Sequence, residues 1–342
     1  MGMAKNAFVT GGTGFIGTTL INKLVDNGWQ VTALYRESST RAPLNNLSIT
    51  WVKGSVTNRQ SLISAIPENC GVVFHLAGDT NLWSKHNSRQ TAVNVEGTKN
   101  IVAASGRNNV RVFIHTSSVA AWGDISGTVS EETPQQGGDS WINYERTKWA
   151  GEREALKGQN DGMRVIILNP ANVIGPHDKN NWGRLFFALH NNELPFIANG
   201  SVSITHVKAV VDAHLAAVKW GQSGERYILG GEYHPFPQFV RCINNVSNAN
   251  NMPVTIPPFL FRGIARISTG FAALTNNKPA VTPELARLMT RNNIVYSSQK
   301  AMNELGYDIP PMEQSVRDCY EWLKAEGHLQ SPLQTDETNA GK

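Results

Sequence analysis

A chain of 342 residues, 40% hydrophobic and 17% charged, holds enough apolar material for one large unit and a smaller lobe, and is too apolar for a disordered chain. Its net charge is only +4 and its basic residues are scattered, which excludes a nucleic-acid groove. Three cysteines (Cys70, Cys242, Cys319) lie far apart without metal-ligand spacing, and no uncharged apolar run is long enough for a membrane span.

The first half alternates short β-branched runs with helical patterns. Strands are expected at 6–10, 30–35, 49–53, 72–76, 110–115 and 164–168, and helices at 15–27, 59–66, 88–107 and 140–157. That alternation indicates βαβ units and an α/β fold, a Rossmann-type doubly wound parallel sheet. Residues 1–170 read as its dinucleotide-binding domain, with some later segments returning to it. After Pro170 the pattern loosens into a smaller C-terminal substrate lobe over 171–330, with short helices at 283–292 and 314–326. Residues 331–342 read as a flexible tail. Unpaired thiols, and an N-terminus running straight into a strand and a glycine loop, point to a cytoplasmic address.

The string VTGGTGFIG stands where the first strand hands over to the first helix. Gly11, Gly14 and Gly17 permit a tight turn, and backbone amides can then approach a pyrophosphate at the positive end of the helix. Phe15 and Ile16 can pack that helix onto the sheet. Such glycines also occur in ordinary strand–helix turns; the place after an N-terminal strand, inside a βαβ unit, is what marks a cofactor loop. The second strand ends in VTALYRES, with Arg36 where NAD sites usually carry an acid. A guanidinium matches a 2′-phosphate in charge and in the geometry of its donors, so the pattern favours NADP(H). Glu37, able to serve a ribose, leaves NAD(H) open.

HTSSVAAWG follows the fifth strand and brings Ser117 and Ser118 to the carboxyl edge of the sheet, where open α/β sheets bind ligands. WINYERTKWAGE then carries Tyr144 and Lys148 four apart, on one face of a helix. A free tyrosine ionises at about 10. A neighbouring ammonium and a cationic nicotinamide ring would both favour its phenolate, and a serine hydroxyl can hold a substrate oxygen beside it during hydride transfer. Each residue alone is commonplace on a solvated helix or a strand end. Their order behind the glycine loop is what carries the reading.

These pieces, with HLAG (75–78), NVEGTKN (94–100), NPANVIGP (169–176) and ITHVKAVVDAHLAA (204–217), give the chain a close resemblance to the extended short-chain dehydrogenase/reductases. Within that superfamily it looks most like the dihydroflavonol reductase and 3β-hydroxysteroid dehydrogenase branch. The resemblance implies a substrate-orienting role for Ser118, acid/base work for Tyr144, and Lys148 as its partner and nicotinamide-ribose contact. It implies that Ala77 and Gly78 border the adenosine and pyrophosphate path, that Pro170 and Val173 edge the nicotinamide, and that Asn94 braces the floor of the site. His75 fits a structural position. One departure is GSVTN after the third strand, where the family usually has two acids: Ser55 and Asn58 stand in their places, leaving Ser55 and the backbone of Val56 to meet the adenine.

The resemblance also places substrate above the nicotinamide, against 79–85, 119–143 and 172–206, with Asp79, Trp83, Asn94 and Trp182 as candidate contacts. Trp83, Trp122, Trp141 and Trp182 could line an aromatic pocket suited to a bulky or apolar carbonyl or alcohol. His177 and His206 read as satisfied loop or core residues. The apolar stretch 257–274, with Arg262 and Arg266, reads as a lobe helix, a lid or a helix at a membrane surface. No metal is implied. Family members often dimerise through helices such as 88–107 and 140–157, so a homodimer is open. The leading expectation is an NADP-dependent carbonyl reductase; a nucleotide-sugar epimerase or dehydratase with tightly bound NAD is the alternative. A non-enzymatic cofactor sensor fits poorly, because both Tyr144 and Lys148 are kept.

Overall fold

Short apolar runs spaced by helices can bury themselves only by pairing into one covered sheet, and they do so. The computed structural model describes residues 5–249, 252–275 and 279–329; the expected tail at 331–342 lies outside them. The main strands are β1 (Asn6–Thr10), β2 (Gln30–Tyr35), β3 (Ile49–Lys53), β4 (Val72–His75), β5 (Val112–Thr116), β6 (Arg164–Pro170) and β7 (Arg226–Leu229). They lie side by side in the order β7-β6-β5-β4-β1-β2-β3, every pair parallel. β4 and β5 are buried along their whole length, as strands covered on both faces must be. The chain order reverses between β1 and β4, which opens a crevice at the carboxyl edge.

Helices α1 (Phe15–Asp26), α2 (Arg59–Ala65), α3 (Gly97–Arg107), α4 (Asn143–Leu156) and α5 (Val207–Trp220) supply the cover. On one face Leu20, Ile21, Leu24, Val210 and Ala217 of α1 and α5 pack on Val9, Phe74 and Ile114. On the other, Leu62, Ile101, Ala104 and Ala155 of α2, α3 and α4 meet Phe8, Val73 and Phe113. Asn58, read as a lost adenine contact, caps α2 by accepting from the Ser61 amide at 3.1 Å.

Some boundaries shift by a few residues, the fifth strand starting at Val112 and the helix expected over 283–292 ending at Met289, and three further differences bear on the site. A seventh strand, β7, joins the edge of the sheet after a long excursion; its four residues are too few to show a period. α4 starts at Asn143 rather than 140, because the Ser140 hydroxyl bonds to the Ile142 amide and the Glu145 carboxylate and bends the entry. The helix expected over 88–107 runs from Asn87 but widens into a π-helical turn at Ala92–Glu96.

In the later chain, strands Asn172–Ile174, Ser201–His206 and Glu232–Pro235 form a small mixed sheet. Around it Ile174, Phe186, Ile204, Phe239 and Val316 share a separate core. Gly127–Val129, from the loop after β5, pairs with Ile294–Tyr296. That pairing carries late chain back over the carboxyl edge.

Candidate active site

At the start of α1, Gly11 takes a positive φ of 72° and lies so close to Ala77 that a Cβ would stand 2.7 Å from the Ala77 nitrogen. A Cβ on Gly17 would run into the Gly11 carbonyl. Only glycines let this turn close, and the Gly14 amide donates to the Gly11 carbonyl at 3.0 Å within it. The amides of Phe15, Ile16 and Gly17 open the helix and have no acceptors inside it, the condition for binding an anion. A dinucleotide pyrophosphate fits this cradle. At the end of β2, Arg36 is exposed, and among the described residues its guanidinium has no partner. Glu37 pairs with Lys53 at 2.9 Å, and Arg41 lies over the rings of Tyr35 and Trp51. Ser55 bonds Thr57 through its hydroxyl at 2.8 Å, and the Val56 carbonyl accepts from Asn100.

Ser118, Tyr144 and Lys148 come together at the carboxyl edge. Ser118 accepts from the Ala120 amide at 3.1 Å, and its hydroxyl stands near enough to the Tyr144 phenol to act on its ionisation. Lys148, one turn along α4, donates to the Thr116 carbonyl at 3.2 Å and stands 6.0 Å from the centre of the Tyr144 ring. Burial pushes the Lys148 ammonium down to about 8, with the Glu152 carboxylate acting the other way. Burial raises the Tyr144 phenol, the Ser118 hydroxyl lowers it and Glu145 raises it again. A Cβ on Gly78 would sit 3.6 Å from both the Lys148 ammonium and the Asn94 side chain, so the bare glycine leaves room beside the lysine.

The supporting shell is polar and closed. Asn94, held on the π-helical turn, bonds both backbone groups of Asp79 (2.7 and 2.9 Å) and Thr147 of α4 (3.0 Å). Glu152, fully buried, accepts from Ser117 (2.7 Å), Asn169 (2.6 Å), Gln135 (2.8 Å) and Arg226 (2.7 Å). Beneath them His75 is satisfied by Thr10 and Thr98, and burial with the nearby Lys148 pushes it down to about 3.

The trio opens into a cavity of about 410 Å³. Phe15, Ile16, Gly78, Pro170 and Val173 border it on the sheet side, and Leu82, Val119, Trp182 and Val202 continue its wall. Against residues 7–230 the model of the NAD dependent epimerase/dehydratase family matches. The chain belongs to that family. It is an enzyme of the extended short-chain dehydrogenase/reductase type, an oxidoreductase on a Rossmann fold. It is 30% identical over 337 residues to a protein named dihydroflavonol 4-reductase from Synechocystis sp., covering 96% of this chain and 97% of the relative. A 2-alkyl-3-oxoalkanoate reductase from Stenotrophomonas maltophilia is 26% identical, with 93% and 98% covered. Among solved structures, that of gox2253 matches with a TM-score of 0.81 at 28% identity, covering 95% of this chain and all of that one. The UDP-glucose 4-epimerase of Thermotoga maritima shares the fold, at a TM-score of 0.76 and 20% identity over 94% and 99%.

Within this family member the substrate side departs from the sequence reading. Of Asp79, Trp83, Asn94 and Trp182, Trp182 is the one that lines the cavity. The Asp79 carboxylate turns to Arg89 and the Asn81 amide, Asn94 is spent on bracing Asp79, and Trp83 meets His86 edge-on. Trp122 is core, its indole bonded to the Thr133 carbonyl, and Trp141 is 55% exposed, so the four tryptophans do not build one pocket. His206 is held between the Lys208 amide and Asp318, and His177 lies on Trp322. The wall that sequence reasoning missed is Leu285, Leu288, Met289, Arg291, Ile294 and Tyr296. Thr282 caps the helix Pro283–Met289, which carries Leu285, Leu288 and Met289, by accepting from the Leu285 amide, and donates to the Leu82 carbonyl at 2.8 Å, clamping it over the cavity. The TPE start of that helix was readable; its destination was not. Arg291 forms ion pairs with Glu145 and Asp124.

Replacing Glu152 by Gln removes the charge that Arg226 neutralises. Since a buried pair broken on one side is costly, urea unfolding should show a loss of about 3 kcal/mol, whereas an unchanged midpoint would mean that Glu152 carries no such charge.

Proposed function

We propose that the protein reduces a ketone or aldehyde to an alcohol with NADP(H), or runs the reverse oxidation, through Ser118, Tyr144 and Lys148. The observation that carries this is the meeting of Ser118, Tyr144 and Lys148 on the wall of one largely apolar cavity beside the glycine loop. The nicotinamide, when bound, supplies or accepts the hydride. In the reducing direction the carbonyl carbon takes the hydride while its oxygen takes the Tyr144 phenolic proton. Ser118 donates a hydrogen bond to that same oxygen and holds it against the phenol. Lys148 stabilises the phenolate left behind and holds the nicotinamide ribose.

Gly11, Gly14, Phe15, Ile16 and Gly17 would take the pyrophosphate, Ala77 and Gly78 the adjoining path, Ser55 and Val56 the adenine, and Pro170 and Val173 the nicotinamide edge. NADP(H) is preferred because Arg36 is unpaired and exposed, while Glu37, the acid able to serve a ribose, is occupied by Lys53. The NAD complexes among the structural neighbours, such as the UDP-glucuronic acid 4-epimerase from Bacillus cereus, lie below 25% identity and speak for the fold alone. A bulky apolar carbonyl suits Leu82, Trp182, Leu285, Leu288 and Met289. A nucleotide sugar would need its diphosphate clamped, and the one arginine among the described lining residues, Arg291, is already neutralised by Glu145 and Asp124.

Tyr144→Phe should lower turnover of a carbonyl panel at least about a hundredfold, the scale of lost acid–base catalysis; undiminished NADPH consumption would remove Tyr144 from the mechanism. Reduction needs Tyr144 protonated and Lys148 charged, so its rate should fall as pH rises through about 8, where Lys148 loses its proton. A profile flat across the alkaline range would separate Lys148 from the reaction. Arg36→Leu should raise the KM for NADPH roughly ten- to a hundredfold, as loss of a charge-assisted contact does, and leave that for NADH nearly unchanged; equal changes for both cofactors would contradict the 2′-phosphate assignment.

A further inference from the structure

We propose that the Pro258–Thr275 helix docks the protein on an anionic membrane surface, its outer apolar arc entering the lipid and Arg262 and Arg266 meeting headgroup phosphates. The helix is anchored on one side only. Phe261 and Ala265 are buried with Ala198 and Ala286, while Phe259 (72% exposed), Ile267 (73%) and Phe271 (68%) face solvent together with Leu260. At about 100° per residue these four fill an arc of about 120°, turned away from Phe261, Ala265 and Ala272. Val254, 66% exposed, and Met252 precede the helix in the chain, so six of the ten exposed large apolar residues described fall within 252–271. Monomeric proteins seldom leave such a contiguous surface bare.

Charge decides what covers it. The helix carries no acidic residue, and Arg262 and Arg266 lie along one edge of the apolar arc. Beside it Arg262, Arg287 and Arg291 line a polar cleft of about 610 Å³ with Ser126, Thr133 and Asn292. Asp124 is the acid there, and it is shared between Arg287 and Arg291. Arg262 gives its Nε–H to Thr290; among the described residues the rest of its guanidinium has no other hydrogen-bond partner, so it can meet an anion in the cleft. Anionic headgroups complement these arginines, and each basic side chain near such a surface adds to binding. Among the described residues no helix is long and apolar enough to cross a membrane, so the geometry is that of a helix lying in the interface. It packs on Pro283–Met289, whose Leu285, Leu288 and Met289 wall the cavity, so the docked face lies one helix from the site.

The proposal stands independently of the reaction, and is tested without turnover. The full chain is sedimented with vesicles of phosphatidylcholine alone or mixed with phosphatidylglycerol, beside the variants Ile267→Ser/Phe271→Ser and Arg266→Glu. These side chains are exposed, and a thermal melt checks that each variant keeps its fold. Binding is expected to the mixed vesicles, to weaken with added salt, and to fall at least about tenfold in the double variant. Wild-type protein left in the supernatant with phosphatidylglycerol vesicles overturns the proposal, as does a double variant that binds equally well. So does a dimer that the double variant splits while neither form binds vesicles, which would make the patch a contact between copies.

Discussion

Glu152 lies on α4 two turns beyond Tyr144 with no exposed surface, and Ser117, Gln135, Asn169 and Arg226 converge on its two oxygens. A lone carboxylate there would cost several kcal/mol or take up a proton. The charge is therefore tolerable only when the ends of β5 and β6, the start of β7 and the loop before α4 are all in place. Asn169 also holds the Ser118 carbonyl at 3.1 Å, so the carboxylate that registers the strands registers the serine loop too. Because Tyr144, Lys148 and Glu152 follow at intervals of four on one helix face, satisfying Glu152 sets the depth and rotation of the other two.

A second buried carboxylate, Glu145, does for the lobe what Glu152 does for the sheet. It accepts from Ser140 at 2.5 Å and pairs with Arg291, which comes from the far end of the chain. The parallel pairing of Gly127–Val129 with Ile294–Tyr296 and the Thr282–Leu82 bond act in the same direction. Together they close an apolar wall over the carboxyl edge, where Tyr296 is half-buried and desolvation pushes its phenol up to about 12. Shape and polarity of the cavity are thus consequences of lobe docking. Beneath the site, burial keeps His75 and His115 uncharged at neutral pH, so these imidazoles place no positive charge under Lys148.

Legibility tracked how local the cause was. The glycine loop was readable because the tight approach of Gly11 and Gly17 to their neighbours is a property of consecutive residues. Tyr144 and Lys148 were readable because helical spacing is local too. β7 escaped because RYIL is too short for a period, and the capping role of Asn58 was passed over because the family comparison marked that position only for the acid it lacks. The four tryptophans misled for another reason: an indole is equally at home in a core, at a surface and in a pocket, and only Trp182 reached the cavity.

The sequence by itself determined the parallel sheet but for its edge strand, the glycine turn that opens α1 and the spacing of Tyr144 and Lys148 on α4, because periodicity, turn sterics and helix spacing act within a few residues. Tertiary structure alone decided which side chains wall the cavity. It paired Arg291 with Glu145 and Arg226 with Glu152 across more than seventy residues, and left the outer arc of Pro258–Thr275 uncovered. Buried charges must be neutralised wherever the fold brings a partner, and apolar faces are covered only where another element happens to dock; neither outcome is written in local spacing.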